Sequence, residues 1–332
     1  MNYFETIGID VSKETLDVVI HTTNLTQQFD NSNKGFKALC KWTERMVRCS
    51  RESLLFAFEH TGLYSFPLSV FLSENGYPFI MIPGLEIKRS LGIKRGKNDK
   101  IDAKSIALYA YRRKEEITPY KMPSDDLNQL RRLLSLRERL VKQRAGFEAS
   151  LKEHKRILKK SENTVFFDVH HKLIDELSKQ ILKIENRLSE LIKRDSQMKN
   201  MYDLITSIKS VGPQTAMFMI ATTNAFTLFK DSRKFASYSG IAPFPNRSGT
   251  SIKGRTKVSH LANKKMKALL SSCAASAITN NPEMKAYYQR RLKEGKHEMS
   301  TLNIIRNKLL ARIFAVIRRN SPYVNTFKFA TC

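Results

Sequence analysis

Along the first 120 residues, short apolar runs alternate with amphipathic stretches. Residues 7–11 and 16–21 are two β-type runs flanking the polar Ser12-Lys13-Glu14-Thr15, the pattern of an antiparallel hairpin. Residues 27–30 offer a third strand. Between 36 and 47, Phe36, Leu39, Cys40, Trp42, Thr43, Met46 and Val47 recur at helical spacing. The continuous apolar run at 54–59 reads as a buried strand, 64–74 as a helix and 78–82 as a further strand. Another helix begins near Asp99. After residue 120 the period changes. Leu177, Ile181, Ile184, Leu188 and Leu191 lie on a heptad seam, and Leu133, Leu136, Leu140, Phe147, Leu151 and Leu158 form a looser stripe upstream. The polar Lys159-Lys160-Ser161-Glu162-Asn163-Thr164 breaks the run, which predicts two long antiparallel helices. An intramolecular helical hairpin and an oligomerisation coiled coil both satisfy this seam. From Tyr202 onward the pattern is mostly helical, with helices at 263–277 and 302–319 and a turn-rich loop at 240–251.

The predicted order βββαβαβα with a mixed sheet is that of a ribonuclease-H-like domain, so the fold class is α/β followed by all-α. The expected domains are residues 1–120, a long helical linker at 121–200, and a helical domain at 201–332. Within the last, Ile208-Lys209-Ser210-Val211-Gly212-Pro213-Gln214-Thr215-Ala216 resembles a helix-hairpin-helix turn, whose backbone N–H groups can grip a phosphate, although it lacks the usual second glycine.

Charge narrows the function. Lys and Arg number 58 against 31 Asp and Glu, a formal net charge of +27, which points to a polyanionic partner, DNA or RNA. Basic structural proteins of the ribosomal or histone-like kind are usually shorter and lack isolated acids at strand ends. Cys40, Cys49, Cys273 and Cys332 are scattered without a CxxC pair, so reduced thiols and no zinc site are expected. No signal peptide opens the chain and no apolar run reaches transmembrane length, which predicts a soluble cytoplasmic protein with no membrane partner.

Four acids stand where a carboxylate has little structural reason to be. Asp10 interrupts an apolar strand, Glu59 ends another, and Asp99 and Asp102 sit three apart in an otherwise basic segment. A buried carboxylate is costly unless compensated. Four of them at one end of a sheet make a hard oxygen site suited to Mg²⁺ and to phosphoryl transfer. Asp99 also suits a helix N-cap and Asp102 a first helical turn, whereas Asp10 has no capping role. Residues 88–104 carry seven Lys/Arg around the two aspartates, among them Lys94, Arg95, Lys97 and Lys100; residues 247–267 carry seven and no acid, among them Arg247, Lys253, Arg255 and Lys257. Both segments are candidate nucleic-acid contacts. Tyr64, Tyr238 and Phe244 suit base stacking or a core equally. Ser248, flanked by Arg247, Lys253 and Arg255, is either an ordinary turn serine or a nucleophile whose phosphate is neutralised by those cations.

Three segments together sharpen the choice. Gly8-Ile9-Asp10-Val11-Ser12-Lys13, Phe58-Glu59-His60-Thr61-Gly62-Leu63-Tyr64 and Lys97-Asn98-Asp99-Lys100-Ile101-Asp102-Ala103-Lys104 resemble the DEDD motif of Piv/MooV-type invertases and insertion-sequence 110 family transposases. Residues 207–216, Tyr238-Ser239-Gly240-Ile241-Ala242-Pro243 and Ser248-Gly249 resemble that family's second domain. The resemblance implies a RuvC-like domain binding Mg²⁺ through Asp10, Glu59, Asp99 and Asp102. It also implies that Ser248 attacks DNA to form a covalent phosphoserine link. A non-coding bridge RNA pairing with target and donor DNA is implied too, as is a homo-oligomer, dimer or tetramer, with composite active sites. The family's Ser-Gly-Gly-Lys form is here Ser248-Gly249-Thr250-Ser251, which leaves Ser251 as a substitute nucleophile. The rival expectations are a RuvC-like Mg²⁺-dependent structure-specific endonuclease without a covalent intermediate, and a non-catalytic nucleic-acid-binding protein.

Overall fold

In the computed structural model, which describes residues 3–90, 99–248 and 252–325, the N-terminal apolar runs pair into one mixed sheet. Its strands are β1 (Glu5–Val11), β2 (Thr15–Ile20), β3 (Thr26–Asp30), β4 (Leu54–Glu59) and β5 (Phe79–Ile82), in the order β3-β2-β1-β4-β5. β1, β2 and β3 are antiparallel neighbours, while β4 lies parallel to β1 and β5 parallel to β4. Helices cover both faces of β1 and β4, which is why these strands read as nearly unbroken apolar runs.

On one face, α1 (Asn33–Val47) and α2 (Phe66–Glu74) pack Phe36, Leu39, Leu68 and Leu72 against Ile7, Ile9, Phe56 and Phe58. Ser32 caps α1 by accepting from Gly35 N at 3.2 Å. Gly35 itself is dictated by space, since a Cβ there would lie 1.9 Å from the Asp30 carbonyl oxygen. On the other face lie α3 (Gly84–Ser90) and α4 (Asp99–Arg113), with Ile87, Ile106, Tyr109 and Ala110 against Leu55, Ala57, Ile80 and Ile82. Gly8 lets α4 touch the sheet backbone: a Cβ there would meet Ala103 O at 2.2 Å and Ala107 N at 2.4 Å. These elements belong to one compact unit, residues 1–122.

The described residues of the second unit, 123–332, are helical apart from one hairpin and the connecting turns. α5 (Asp125–Ile157) opens on Ser124, whose hydroxyl accepts from Leu127 N at 3.3 Å, and Asp125 and Asp126 complement the helix dipole. α6 (Thr164–Arg194) returns antiparallel to it, and the chain breaks between them where the polar stretch 159–164 predicts. At about 1.5 Å per residue, 33 residues make α5 about 50 Å long. Four of the five seam residues, Ile181, Ile184, Leu188 and Leu191, are buried and Leu177 is half-buried. Arg137 bonds Glu185 across the pair, its Nε donating to Oε1 at 2.7 Å. The helix roots share one core with the C-terminal helices. Leu127, Leu130, Leu134, Leu188 and Ile192 pack with residues of α7 (Ser196–Thr206), α8 (Pro213–Thr222), α9 (Ser232–Tyr238), α10 (Lys264–Asn280) and α12 (Glu298–Arg319). α11 (Pro282–Lys293) adds Met284.

One expectation is corrected. The segment read as a turn-rich loop contains β6 (Pro243–Ser248), paired antiparallel with β7 (Ile252–Val258). Two prolines in β6 and a register shift between Phe244 and Asn246 hide the strand's alternation. A two-stranded ribbon tolerates both, because each strand has a free edge for prolines.

Candidate active site and nucleic-acid interface

Strand register decides where the acids stand. Ile9 of β1 pairs with Phe58 of β4, so Asp10 and Glu59, one residue further on, come to the carboxyl ends of neighbouring parallel strands. They share a face. Thr6 Oγ1 donates to Ala107 O at 3.2 Å and Gly8 abuts Ala103, so the even positions of β1 look toward α4. Leu55 and Ala57 pack into the core on that face too, and the two-residue alternation brings Glu59 with them. α4 begins at Asp99, and half-buried Asp102 lies in its first turn, one residue before the contact with Gly8. For Asp99, as for Arg247, Ser248, Lys253 and Arg255, the structure describes only the backbone.

Two details of this end of the sheet escape a reading of the sequence. Asp17 of β2 pairs with Asp10 and so shares its face; it is 7% exposed and accepts from Gln28 Nε2, at 3.2 Å to each carboxylate oxygen. The signal was available in the hairpin register, but the compensating Gln28 comes from another strand. The Glu59 carboxylate, meanwhile, lies against Gly84, where a Cβ would stand 2.0 Å from Oε1. The missing side chain is the space the carboxylate uses.

Among the described residues, no three His, Cys, Asp or Glu side chains converge closely enough to hold an ion. By type the donor set still fits a hard, oxygen-preferring divalent cation: it is wholly carboxylate, and it is borne by two strand ends and the first turn of the helix crossing them.

In the second unit, Ser248 is the last residue of β6 and pairs with Ile252, so it flanks the tip of the hairpin, and Arg247 pairs with Lys253. The hairpin's root is clamped. Ile241 O accepts from Asn303 Nδ2 at 2.8 Å and from Asn307 Nδ2 at 3.0 Å, both on α12. Gly240 has φ +66° and would place a Cβ 2.5 Å from Ala262 Cβ. Beside this clamp, Arg306 is 6% exposed and donates from Nη1 to Asn303 Oδ1 at 3.4 Å; burial pushes its guanidinium below the usual arginine range.

Comparison with known proteins now decides the family. A transposase profile of the DEDD, IS110 type matches residues 7–159, and the profile of the transposase IS116/IS110/IS902 family matches residues 202–289. The chain belongs to the IS110-type transposases. It is 28% identical to the pilin gene-inverting protein of Moraxella bovis over 327 residues, covering 96% of this chain and 97% of that protein. The corresponding protein of Moraxella lacunata matches over the same shares. The insertion element IS110 43.6 kDa protein of Streptomyces coelicolor is 31% identical over 36% of this chain and 29% of its own length. The chain is therefore an enzyme of DNA recombination, and DNA is its substrate.

Two of the DNA contacts predicted for this transposase have described side chains. Lys100 is exposed on the first turn of α4 and borders a shallow cavity with Asp17 and Gln28, beside the acid-bearing face. Lys257 is exposed on β7 opposite Phe244. Lys94, Arg95, Lys97 and Ser251 lie outside the described residues. Tyr64, Tyr238 and Phe244 are all at least 40% exposed, and Tyr238 also packs against Phe229 and the core residue Phe235. In the turn between α7 and α8, Ser210 has φ +78° and Gly212 opens α8 without a side-chain cap ahead of Pro213. Cys40, Cys49 and Cys273 are free thiols, and no helix among the described residues is long and apolar enough to cross a membrane.

Proposed function

We propose that this transposase cuts and rejoins DNA with carboxylates of its N-terminal domain and a serine of its second domain, contributed by different protomers. The N-terminal domain is RuvC-like in this reading, and Asp10, Glu59, Asp99 and Asp102 hold Mg²⁺. An ion held there would supply charge neutralisation at the scissile phosphate. The observation that carries the reading is the register: two acids reach the same end of adjacent parallel strands, on the face that α4 crosses with Asp102 in its first turn. Ligands of open α/β sheets bind at such strand ends.

Ser248 supplies the nucleophile. Its Oγ attacks phosphorus, the bond from phosphorus to the leaving sugar oxygen breaks, and the DNA is held as a phosphoserine ester. Attack by a sugar hydroxyl of the new partner strand then breaks the bond from phosphorus to the serine oxygen, joins the strands and returns a proton to the serine. The two steps together conserve the number of phosphodiester bonds. Arg247, Lys253 and Arg255 give the same ribbon the positive charge that draws DNA phosphates to it. A bridge RNA pairing with target and donor DNA selects the sequences, and a homo-oligomer brings acids and serine of different protomers together.

The test is cleavage of labelled DNA by the protein purified with its RNA, run on a denaturing gel with and without Mg²⁺. Asp10→Ala and Glu59→Ala abolish Mg²⁺-dependent cleavage while leaving DNA binding within about threefold, since affinity resides in phosphate contacts by cations. Acid variants that cleave like the parent would overturn the assignment.

A further inference from the structure

Between Arg51 and Lys88 the chain carries no Lys or Arg, although 58 of its 332 residues are one or the other. That stretch includes the loop following Glu59, on the rim of the acid-bearing strand ends. At its tip stands Leu63, 86% exposed and the most exposed large apolar residue among those described; Tyr64 beside it is 46% exposed. Single exposed leucines are commonplace and carry nothing by themselves. This one is held out by a pinned turn. His60 N donates to Ile82 O at 3.1 Å, and Ser65 Oγ donates to Gly62 O at 3.4 Å. Asn31 Nδ2 donates both to Ser12 O at 2.8 Å and to Tyr64 O at 3.1 Å, tying the tip to the turn two residues beyond Asp10. Gly62, at φ +70°, supplies the left-handed residue the turn needs.

We propose that Leu63 is a wedge that enters the base stack of DNA at the acid-bearing edge, with Tyr64 as the stacking platform beside it. The proposal rests on the reading of that edge as the cleavage site. With no Lys or Arg between residues 51 and 88, this loop itself has no cation with which to grip phosphates. An apolar side chain on a braced turn, backed by an aromatic ring, fits the faces of nucleobases, and apolar wedges of this kind unstack base steps. The bracing matters because the cost of unstacking is met only if the wedge does not fold away. Leu63 thereby makes unpaired DNA at the cut the preferred substrate.

A binding measurement separates this inference from the chemistry. The full chain, with co-purifying RNA retained and no divalent metal added, is titrated onto a duplex carrying 2-aminopurine and onto the same sequence with the labelled base in an unpaired bubble. Binding of the parent raises the duplex fluorescence toward the bubble's level. Leu63→Ala loses most of that rise at saturation and binds the bubble as the parent does, and Leu63→Met restores the rise. A parent that leaves duplex fluorescence flat, or a Leu63→Ala variant with an unchanged rise, overturns the wedge. Asp10→Asn keeps the rise, so a failure of the cleavage reading shows in the gel assay and a failure of the wedge shows here.

Discussion

Gly84 decides where a carboxylate rests. A Cβ there would fall 2.0 Å from Glu59 Oε1, yet that atom ends a flexible side chain and can move aside at small energetic cost. Gly84→Ala should therefore leave the thermal midpoint nearly unchanged while reducing Mg²⁺-dependent cleavage by about a hundredfold, as displacements near 1 Å do. Melting curves and cleavage rates on the same preparation check this, and loss of both together would contradict it. A second residue-level effect concerns pH. Burial pushes the Cys40 thiol from 9.0 up to about 12, and burial with the hydrogen bond to Glu44 raises Tyr77 as well. Both groups stay neutral in the fold at a pH where the unfolded chain ionises them. Their contribution is therefore complete below pH 9.0 and declines as pH rises toward 12. Urea midpoints should fall across that range, less so for Cys40→Ala; parallel profiles for parent and variant would refute the assignment.

Among the elements, what could be read from the sequence followed local pattern. β1, β4 and β5 announce themselves because apolar runs buried on both faces need no partner to be recognised. The start of α4 at Asp99 and the break between α5 and α6 are equally local. Asp17 was missed because its compensation is non-local, an amide eleven residues away that reaches it only once β2 and β3 pair. The β6–β7 ribbon was missed because its support lies outside its own sequence, in Asn303 and Asn307 on α12. Replacing both asparagines with alanine deprives the Ile241 carbonyl of two donors, a cost of about 1–3 kcal/mol. The double variant should lose stability by that amount in urea titration and form less covalent DNA adduct, while binding DNA as before. Unchanged adduct yield would show that the root does not position the ribbon.

Across the whole molecule, a net charge of +27 makes phosphate attraction the main source of affinity. Affinity for duplex DNA should fall steeply with salt, linearly in a log–log plot, and Lys257→Ala should reduce the slope by about 0.9 if Lys257 meets one phosphate. Fluorescence anisotropy at several salt concentrations tests this; a flat response would remove the electrostatic account. Sequence selection does not follow from that charge and resides, in this account, in pairing with a guide RNA. The central claim is that Ser248 and the four acids work on the same phosphate. The most direct measurement is mass spectrometry of the protein after reaction with DNA and Mg²⁺ and digestion by nuclease and protease. The account predicts a nucleotide remnant on the peptide containing Ser248, localised to that serine and missing from both Ser248→Ala and Asp10→Ala. Cleaved DNA with no remnant on any serine, or a remnant on another residue such as Ser251, would contradict it.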